Sequence, residues 1–171
     1  MRPRHIVLVG LMGSGKTTVG ARVATALGWP LRDSDPEIEA REGRTVRELR
    51  EAIGVDRMHA IESAHLLEGI AGREPAVIAA AASVIEDEAC RDALSAADVL
   101  VVWLRAAPST LAGRFWERPH RPAFGADPET FLAERARRRD ALFEEVADLQ
   151  LRTDATTADE AAARILAVVA R

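Results

Sequence analysis

The segment HIVLVGLMGSGKT, at residues 5–17, is the strongest structural signal in the chain. It opens with a short apolar run, passes through three glycines and leads into a helix-forming segment that ends near Leu27. The glycine spacing, G-x-x-x-x-G-K-T, is typical of a loop whose backbone N–H groups, with the following helix N-terminus, converge on phosphate. The sequence therefore predicts a buried parallel strand, a phosphate-binding loop and a helix.

Lys16 is the only lysine in the chain, although lysine and arginine together number 23. A compact ammonium on a flexible stem reaches between the β- and γ-phosphates of a nucleotide, where a planar guanidinium is too wide. The use of lysine at this one position favours a nucleotide-binding loop over a glycine-rich turn that binds nothing.

Composition limits the class of protein. The length of 171 residues predicts a single domain, and 48% hydrophobic with 29% charged residues is typical of a globular protein. A net charge of −4 argues against nucleic acid as a partner. No apolar run approaches the ~20 residues that span a bilayer, so no membrane partner is expected. The single cysteine, Cys90, fits a reducing cytoplasm. We expect a cytoplasmic monomer.

Apolar strand-like runs alternate with helical patterns, which predicts an α/β fold with a parallel sheet. The predicted strands are 6–9, a short one near 30–32, 76–79, 99–104 and 149–152. Thr45 and Thr157 begin capping boxes. Asp35 and Asp127 each precede a proline and are predicted to cap helices.

Residues 114–127 lack hydrophobic periodicity and are rich in proline and arginine. A loop of this length inside a compact domain is usually functional. Phosphoryl transfer needs positive charge over the γ-phosphate and exclusion of water. We therefore predict a lid at 114–127 that carries Arg118 and Arg121, with a solvated pair of arginines as the alternative.

Two aspartates follow the second predicted strand. The carboxyl ends of parallel strands are where ligands bind. Asp33 can hold a Mg²⁺ ion that is shared with the Thr17 hydroxyl and the phosphates, and Asp35 can accept a proton or hydrogen bond from a substrate hydroxyl. The alternative is that these aspartates serve only as helix caps.

Motifs along the whole chain resemble the shikimate kinase family. The matching segments are the phosphate loop at 10–18, the paired aspartates at 33–39, the helix start at 43–49, Arg121-Pro122, and Arg139-x-x-Leu142-Phe143. The resemblance implies a P-loop kinase fold, with a five-stranded parallel sheet flanked by helices. It also implies phosphoryl transfer from ATP, with Mg²⁺, to a hydroxyl of a small polar acceptor that is acidic or polyhydroxylated.

The resemblance also implies individual roles, including an adenine-contacting loop near residues 154–158 and an arginine at 114 that packs on adenine. The implied nucleotide-binding residues are Gly10, Met12, Gly13, Ser14, Gly15, Lys16, Thr17, Thr18, Arg114, Arg118 and Arg121. The implied catalytic residues are Lys16, Asp35 and Arg121, and the implied substrate residues are Asp35, His59, Ala81, Ala82 and Arg139.

Several residues that the resemblance would place around the phosphoryl acceptor depart from the family pattern. His59 stands where the family has an arginine that binds the substrate carboxylate. A mostly neutral imidazole binds an anion more weakly than the charged guanidinium of arginine, which donates two parallel hydrogen bonds. Arg57 lies on a different helix face and cannot replace it. Alanines 79–82 and Ser83 replace a triple-glycine turn, and Arg50 replaces an apolar or aromatic wall.

The implied nucleotide-binding residues match the family, whereas the implied acceptor-binding residues are altered. This combination favours a small-molecule kinase of shikimate-kinase type. The alternatives are shikimate kinase proper, a sugar-acid kinase, and a nucleotide-binding regulatory module without transfer activity. Asp33, Arg121 and Arg139 argue against the last of these, because a mere nucleotide switch needs no acceptor-side arginine.

Overall fold

The computed structural model describes residues 3–115 and 127–170. In this part of the chain one parallel sheet has the strand order β2-β3-β1-β4-β5. The strands are β1 (His5–Val9), β2 (Leu31–Asp33), β3 (Ala76–Ala79), β4 (Val99–Arg105) and β5 (Leu149–Arg152). The predicted five-stranded parallel sheet is confirmed, and each predicted strand overlaps an observed one.

Helices cover both faces of the sheet. Among the described residues they are α1 (Lys16–Leu27), α2 (Ser34–Glu42), α3 (Val46–Ile53), α4 (Val55–Ile70), α5 (Glu88–Leu94), α6 (Pro108–Phe115), α7 (Pro128–Val146) and α8 (Ala158–Val169). A short 3₁₀ helix, Val84–Glu86, precedes α5. None of these helices is both long and apolar enough to cross a membrane.

The central strand β1 faces a separate core on each side. Ile6 and Leu8 pack into the core that α1 and α8 complete. Val7 and Val9 pack into the opposite core, which includes residues of α4, α5, α6 and α7. Successive side chains of a strand point to opposite faces, and a strand covered on both faces must be apolar throughout. The apolar run before the glycine loop is therefore explained by its central position.

Two packing contacts fix the positions of helices α2, α3, α4 and α7 at the carboxyl edge of the sheet. Ile38, Leu49 and Met58 form a small buried cluster that joins α2, α3 and α4. On α7, the fully buried Phe143 stacks on Trp103 with ring centroids 5.7 Å apart. Arg139 lies one helical turn before Phe143 and therefore shares its inward face. Loss of the buried ring, as in Phe143→Ala, would cost about 3–5 kcal/mol of stability.

The predicted capping boxes at Thr45 and Thr157 are confirmed, and so is the cap at Asp127. The predicted cap at Asp35 is wrong. Helix α2 begins at Ser34, so Asp35 lies in its first turn and Asp33 occupies the N-cap position. The Asp33 side chain pairs with the Thr17 side chain. The N-cap residue of α2 is thus Asp33 and not Asp35.

Candidate active site at the carboxyl edge of the sheet

A cavity of about 480 Å³ opens at the carboxyl edge of the sheet. This volume is in the range of small-molecule sites. The phosphate loop and the start of α1 form one end, and residues of α3, α4, α7 and the turn after β3 form the other. The two ends are called here the nucleotide half and the acceptor half. The structure therefore joins segments that are distant in the sequence into one site.

The phosphate loop depends on its glycines. Gly10 has a φ of 140°, and a Cβ there would lie 2.3 Å from the carbonyl oxygen of Leu104. Gly15 has a φ of 99° at the N-cap of α1. Side chains are strained in such conformations, whereas glycine adopts them freely. The loop can therefore fold tightly between β1 and α1, as the sequence predicts.

Lys16 and Ser14 present polar groups inside this loop. The Lys16 ammonium donates to the carbonyl oxygens of Gly10 at 2.8 Å and Leu11 at 3.1 Å, so it lies across the loop. Ser14 is buried, and its hydroxyl has no hydrogen-bond partner in the described part of the chain. A buried hydroxyl without a partner costs about 1–3 kcal/mol. A phosphate group, which offers several acceptor oxygens, fits this loop.

Asp33 and Thr17 supply oxygen atoms beside the loop. Their side chains are hydrogen-bonded to each other, and both line the cavity. Burial raises the pKa of the Asp33 carboxyl, and the negative charge of Asp35 adds to this effect. Mg²⁺ prefers such oxygen ligands and usually combines one or two carboxylates with phosphate oxygens and water. The residues present therefore fit a magnesium ion bound together with a nucleotide.

Asp35 also lines the cavity and is exposed to solvent. The Ser34 hydroxyl donates to its carboxylate at 3.2 Å. A solvent-exposed carboxylate at the junction of the two halves can approach a hydroxyl of a bound acceptor. The structure thus places both aspartates at the cavity, as the sequence predicts.

Arg114, on α6, lines the nucleotide half of the cavity. Its guanidinium donates to the Gly13 carbonyl at 3.1 Å and to the Thr153 carbonyl at 2.5 Å. The Thr153 hydroxyl donates in turn to the Ser14 carbonyl at 2.9 Å. Thr153 is not among the residues predicted from the sequence, although it follows β5 directly and ligands bind at the carboxyl ends of parallel strands.

The segment after Thr153 also reaches the cavity. Thr156, Thr157 and Ala158, which lie in the segment predicted to contact adenine, line the cavity. Met12 and Thr18 line the same end of the cavity. Arg118 and Arg121, with most of the predicted lid, lie outside the described residues.

The acceptor half contains the predicted substrate residues His59, Ala81, Ala82 and Arg139, all of which line the cavity. Burial lowers the pKa of the His59 imidazole, and the positive charge of Arg139 lowers it further. His59 is therefore neutral at physiological pH. Arg57 is exposed and does not line the cavity.

Arg139 already has a carboxylate partner within the chain. It is buried, and its Nε and Nη2 atoms donate to Glu86 Oε2 at 3.1 and 2.6 Å. Arg138 pairs with the other oxygen of Glu86 at 2.5 Å. Although burial acts to raise it, the contact with Arg139 lowers the pKa of Glu86. Glu86 could not be predicted from the sequence, because 53 positions separate it from Arg139 and no local motif marks it.

Glu62 and Ser83 form a second pair in the acceptor half. The Ser83 hydroxyl donates to Glu62 Oε2, and both residues line the cavity. Burial raises the pKa of Glu62, while the hydrogen bond from Ser83 opposes this rise. In the described part of the chain no residue other than glycine has a positive φ. The alanine turn before Ser83 is therefore built without the backbone conformations that only glycine adopts readily.

Comparison with known proteins gives the same assignment as the site. The family model described as shikimate kinase matches residues 12–170. A shikimate kinase of Halorhodospira halophila is 36% identical and covers 96% of this chain and 92% of its own length. One of Zymomonas mobilis is 37% identical over 82% of this chain and 80% of its own.

A solved structure shows the same relationship. The shikimate kinase of Acinetobacter baumannii in complex with shikimate superposes with a TM-score of 0.89. It is 32% identical and covers 96% of this chain and 92% of its own. The chain therefore belongs to the shikimate kinase family and is a small-molecule kinase that uses ATP with Mg²⁺ to phosphorylate a hydroxyl group.

Proposed function

We propose that this kinase phosphorylates a small polyhydroxylated acid other than shikimate. The observation that carries the proposal is that His59 lines the acceptor half, where the family has a permanently charged arginine. Burial lowers the pKa of this imidazole and so favours its neutral form. The fork of an arginine binds a carboxylate through two parallel hydrogen bonds, whereas a neutral imidazole offers one donor.

The nucleotide half supports ordinary P-loop phosphoryl transfer. Lys16 acts on charge that develops at the β- and γ-phosphates, and Thr17 with Asp33 holds Mg²⁺. The ion neutralises phosphate charge when it is bound. The remaining loop residues supply backbone donors, and Arg114 packs against the adenine. These assignments are supported by the positions of the side chains around the cavity.

Asp35 is assigned to the acceptor hydroxyl, which it orients or deprotonates. It lies in the cavity between the phosphate loop and the acceptor half. A carboxylate at hydrogen-bond distance from the attacking hydroxyl raises the fraction of productive encounters and can remove the proton.

The lid assignment rests on the sequence. Arg118 and Arg121 would add positive charge over the γ-phosphate, and Arg121 is assigned as a catalytic residue. Hydrogen exchange across residues 118–125 should slow when nucleotide and acceptor are both bound. Unchanged exchange at confirmed saturation would contradict the assignment.

Shikimate itself is the second candidate acceptor, since the relatives reported above are named shikimate kinases. The test is ADP release with shikimate, hydroxy acids, sugars, sugar acids and cyclitols. We expect one of the others to exceed shikimate in kcat/KM. Lys16→Ala serves as the control for contaminating kinases. A kcat/KM for shikimate in the ~10⁴–10⁸ M⁻¹s⁻¹ range of ordinary enzymes would restore shikimate as the substrate.

A single-domain monomer in the cytoplasm completes the proposal. All strands of the described part belong to one sheet. In the same residues the large exposed hydrophobics are Val55 and Val168, which lie apart on α4 and α8. A cytoplasmic location agrees with the use of ATP and with a single, buried cysteine. Light scattering after size-exclusion chromatography tests the oligomeric state.

A further inference from the structure

Arginines from two helices converge on the acceptor half of the cavity. Arg50 comes from α3, and Arg135 and Arg139 come from α7. Arg135 and Arg139 are four positions apart and therefore share one helix face. Arg50 and Arg135 are half-buried, and neither forms an ion pair within the described residues.

Carboxylates do not balance this positive charge. Glu86 is shared by Arg139 and Arg138. Glu62 is held by Ser83 rather than by an arginine. Around Arg135, four guanidiniums face the carboxylates of Glu86 and Glu62, and a third carboxylate, Asp35, lies towards the phosphate loop. The described part of the acceptor half therefore carries more positive than negative charge.

Arg135 lies among these charges. Its guanidinium lies over the Phe131 ring, 4.9 Å from the centroid, and this contact restricts its position. Burial lowers the pKa of Arg135, and the charges of Arg139, Arg138 and Arg50 lower it further against the effect of Glu86. Positive charges that repel one another in a half-buried cavity are stabilised when an anion binds between them.

We propose that Arg50 and Arg135 form an anion subsite that binds a doubly charged group of the acceptor. The inference rests on the proposed function, which places the acceptor in this half of the cavity. Guanidinium forks match both carboxylate and phosphate oxygens. A phosphate monoester, with about −1.5 to −2 charges at pH 7, or a pair of carboxylates offers each of the two arginines an anionic partner. The acceptor class is therefore a hydroxylated phosphate ester or dicarboxylic acid.

Direct binding tests this subsite without turnover. The whole chain is saturated with Mg²⁺ and a non-hydrolysable ATP analogue, so that the phosphate loop is filled. Inorganic phosphate, malonate and acetate are then titrated by calorimetry at constant ionic strength. Both dianions should bind more tightly than acetate. Tighter binding of phosphate indicates a phosphate ester, and tighter binding of malonate indicates a dicarboxylate.

Matched variants assign the binding to the two arginines. Arg50→Gln and Arg135→Gln should each weaken dianion binding about tenfold or more, since each removes charge-assisted hydrogen bonds. Arg137→Gln removes the same charge from an exposed position on α7, the helix that carries Arg135. This control should change the affinity for dianions less than about twofold. Equal effects of all three variants, or binding of acetate as tight as that of the dianions, would overturn the subsite.

Folding is checked by circular dichroism and thermal unfolding. The Tm of each glutamine variant should equal or exceed that of the unsubstituted chain, because a repulsive charge has been removed. If a glutamine variant does not fold, Arg50→Lys and Arg135→Lys keep the charge but lose the fork, and weakened phosphate binding in them supports the subsite. Unchanged binding in both lysine variants would overturn it.

The two proposals fail in different ways. Efficient turnover of shikimate would contradict the proposed function even if phosphate binds at Arg50 and Arg135. Efficient turnover of a monocarboxylate other than shikimate, with no binding of dianions, would contradict the subsite alone.

Discussion

The Ser83 hydroxyl donates a hydrogen bond to the Glu62 carboxylate and thereby connects the turn after β3 to helix α4. This contact places a polar pair on the wall of the cavity where the acceptor is proposed to bind. Because burial raises the pKa of Glu62, the hydrogen bond is one of the interactions that keep the carboxylate ionised.

Removal of this hydrogen bond, by Ser83→Ala, should raise the pKa of Glu62 further. A carboxyl whose folded pKa exceeds its unfolded value of 4.5 binds its proton more tightly when folded, so it destabilises the fold as pH rises through that range. The variant should lose more stability than the unsubstituted chain between acidic and neutral pH. Thermal unfolding against pH measures this, with Ser83→Ala/Glu62→Gln as the control that abolishes the difference.

Lys16→Ala should abolish phosphoryl transfer and leave the fold intact. The ammonium stabilises charge that develops in the transition state, and loss of one such contact typically costs ~10²-fold or more in rate. Steady-state ADP release with a good acceptor measures the loss, and circular dichroism checks the fold. Near-normal turnover would show that the phosphate-loop assignment is incorrect.

Asp33→Asn should weaken nucleotide binding in the presence of Mg²⁺ more than in its absence. The substitution keeps the shape of the side chain but removes the charge that holds the ion. Calorimetric titration with ADP, with and without Mg²⁺, separates the two effects. Equal losses in both titrations would indicate a structural role, through the contact with Thr17.

Substitutions in the acceptor half should increase activity on shikimate stepwise. His59→Arg restores a charged fork worth about ten- to a hundredfold in affinity for a carboxylate. Addition of Ala81→Gly and Ala82→Gly removes methyl groups that narrow the cavity. The measurement is kcat/KM for shikimate in the three proteins. If kcat/KM for shikimate rises in neither variant, His59 and the alanine turn are not the cause of low activity on shikimate.

The pH dependence of the unsubstituted enzyme provides an independent check on His59. Since burial and Arg139 lower the pKa of the imidazole, it gains a charge only below pH ~6.5. Binding of an acidic acceptor should therefore strengthen as the pH falls below that value, and His59→Gln should remove this part of the dependence. Competition binding across pH measures the effect. A flat profile would exclude His59 from the anion contact.

The shape of the phosphate loop could be predicted from the sequence alone. The glycine spacing, Lys16 and the apolar run before it are local features, and their geometry follows from backbone sterics and strand burial. The aspartates after β2 were likewise predictable, because ligands bind where parallel strands end. The predicted cap at Asp35 failed because helix α2 starts at Ser34, two residues earlier than a cap at Asp35 would place it, so that Asp33 is the N-cap residue.

The side-chain pairs of the acceptor half could not be predicted from the sequence. Glu86 and Arg139 are 53 positions apart, and Glu62 and Ser83 are 21 apart. No periodicity or motif connects them, since the contacts arise only when α4, α7 and the turn after β3 pack at the same sheet edge. The excess of arginine over carboxylate is likewise visible only in the cavity, because electrostatic interaction depends on distance through space rather than on separation along the chain.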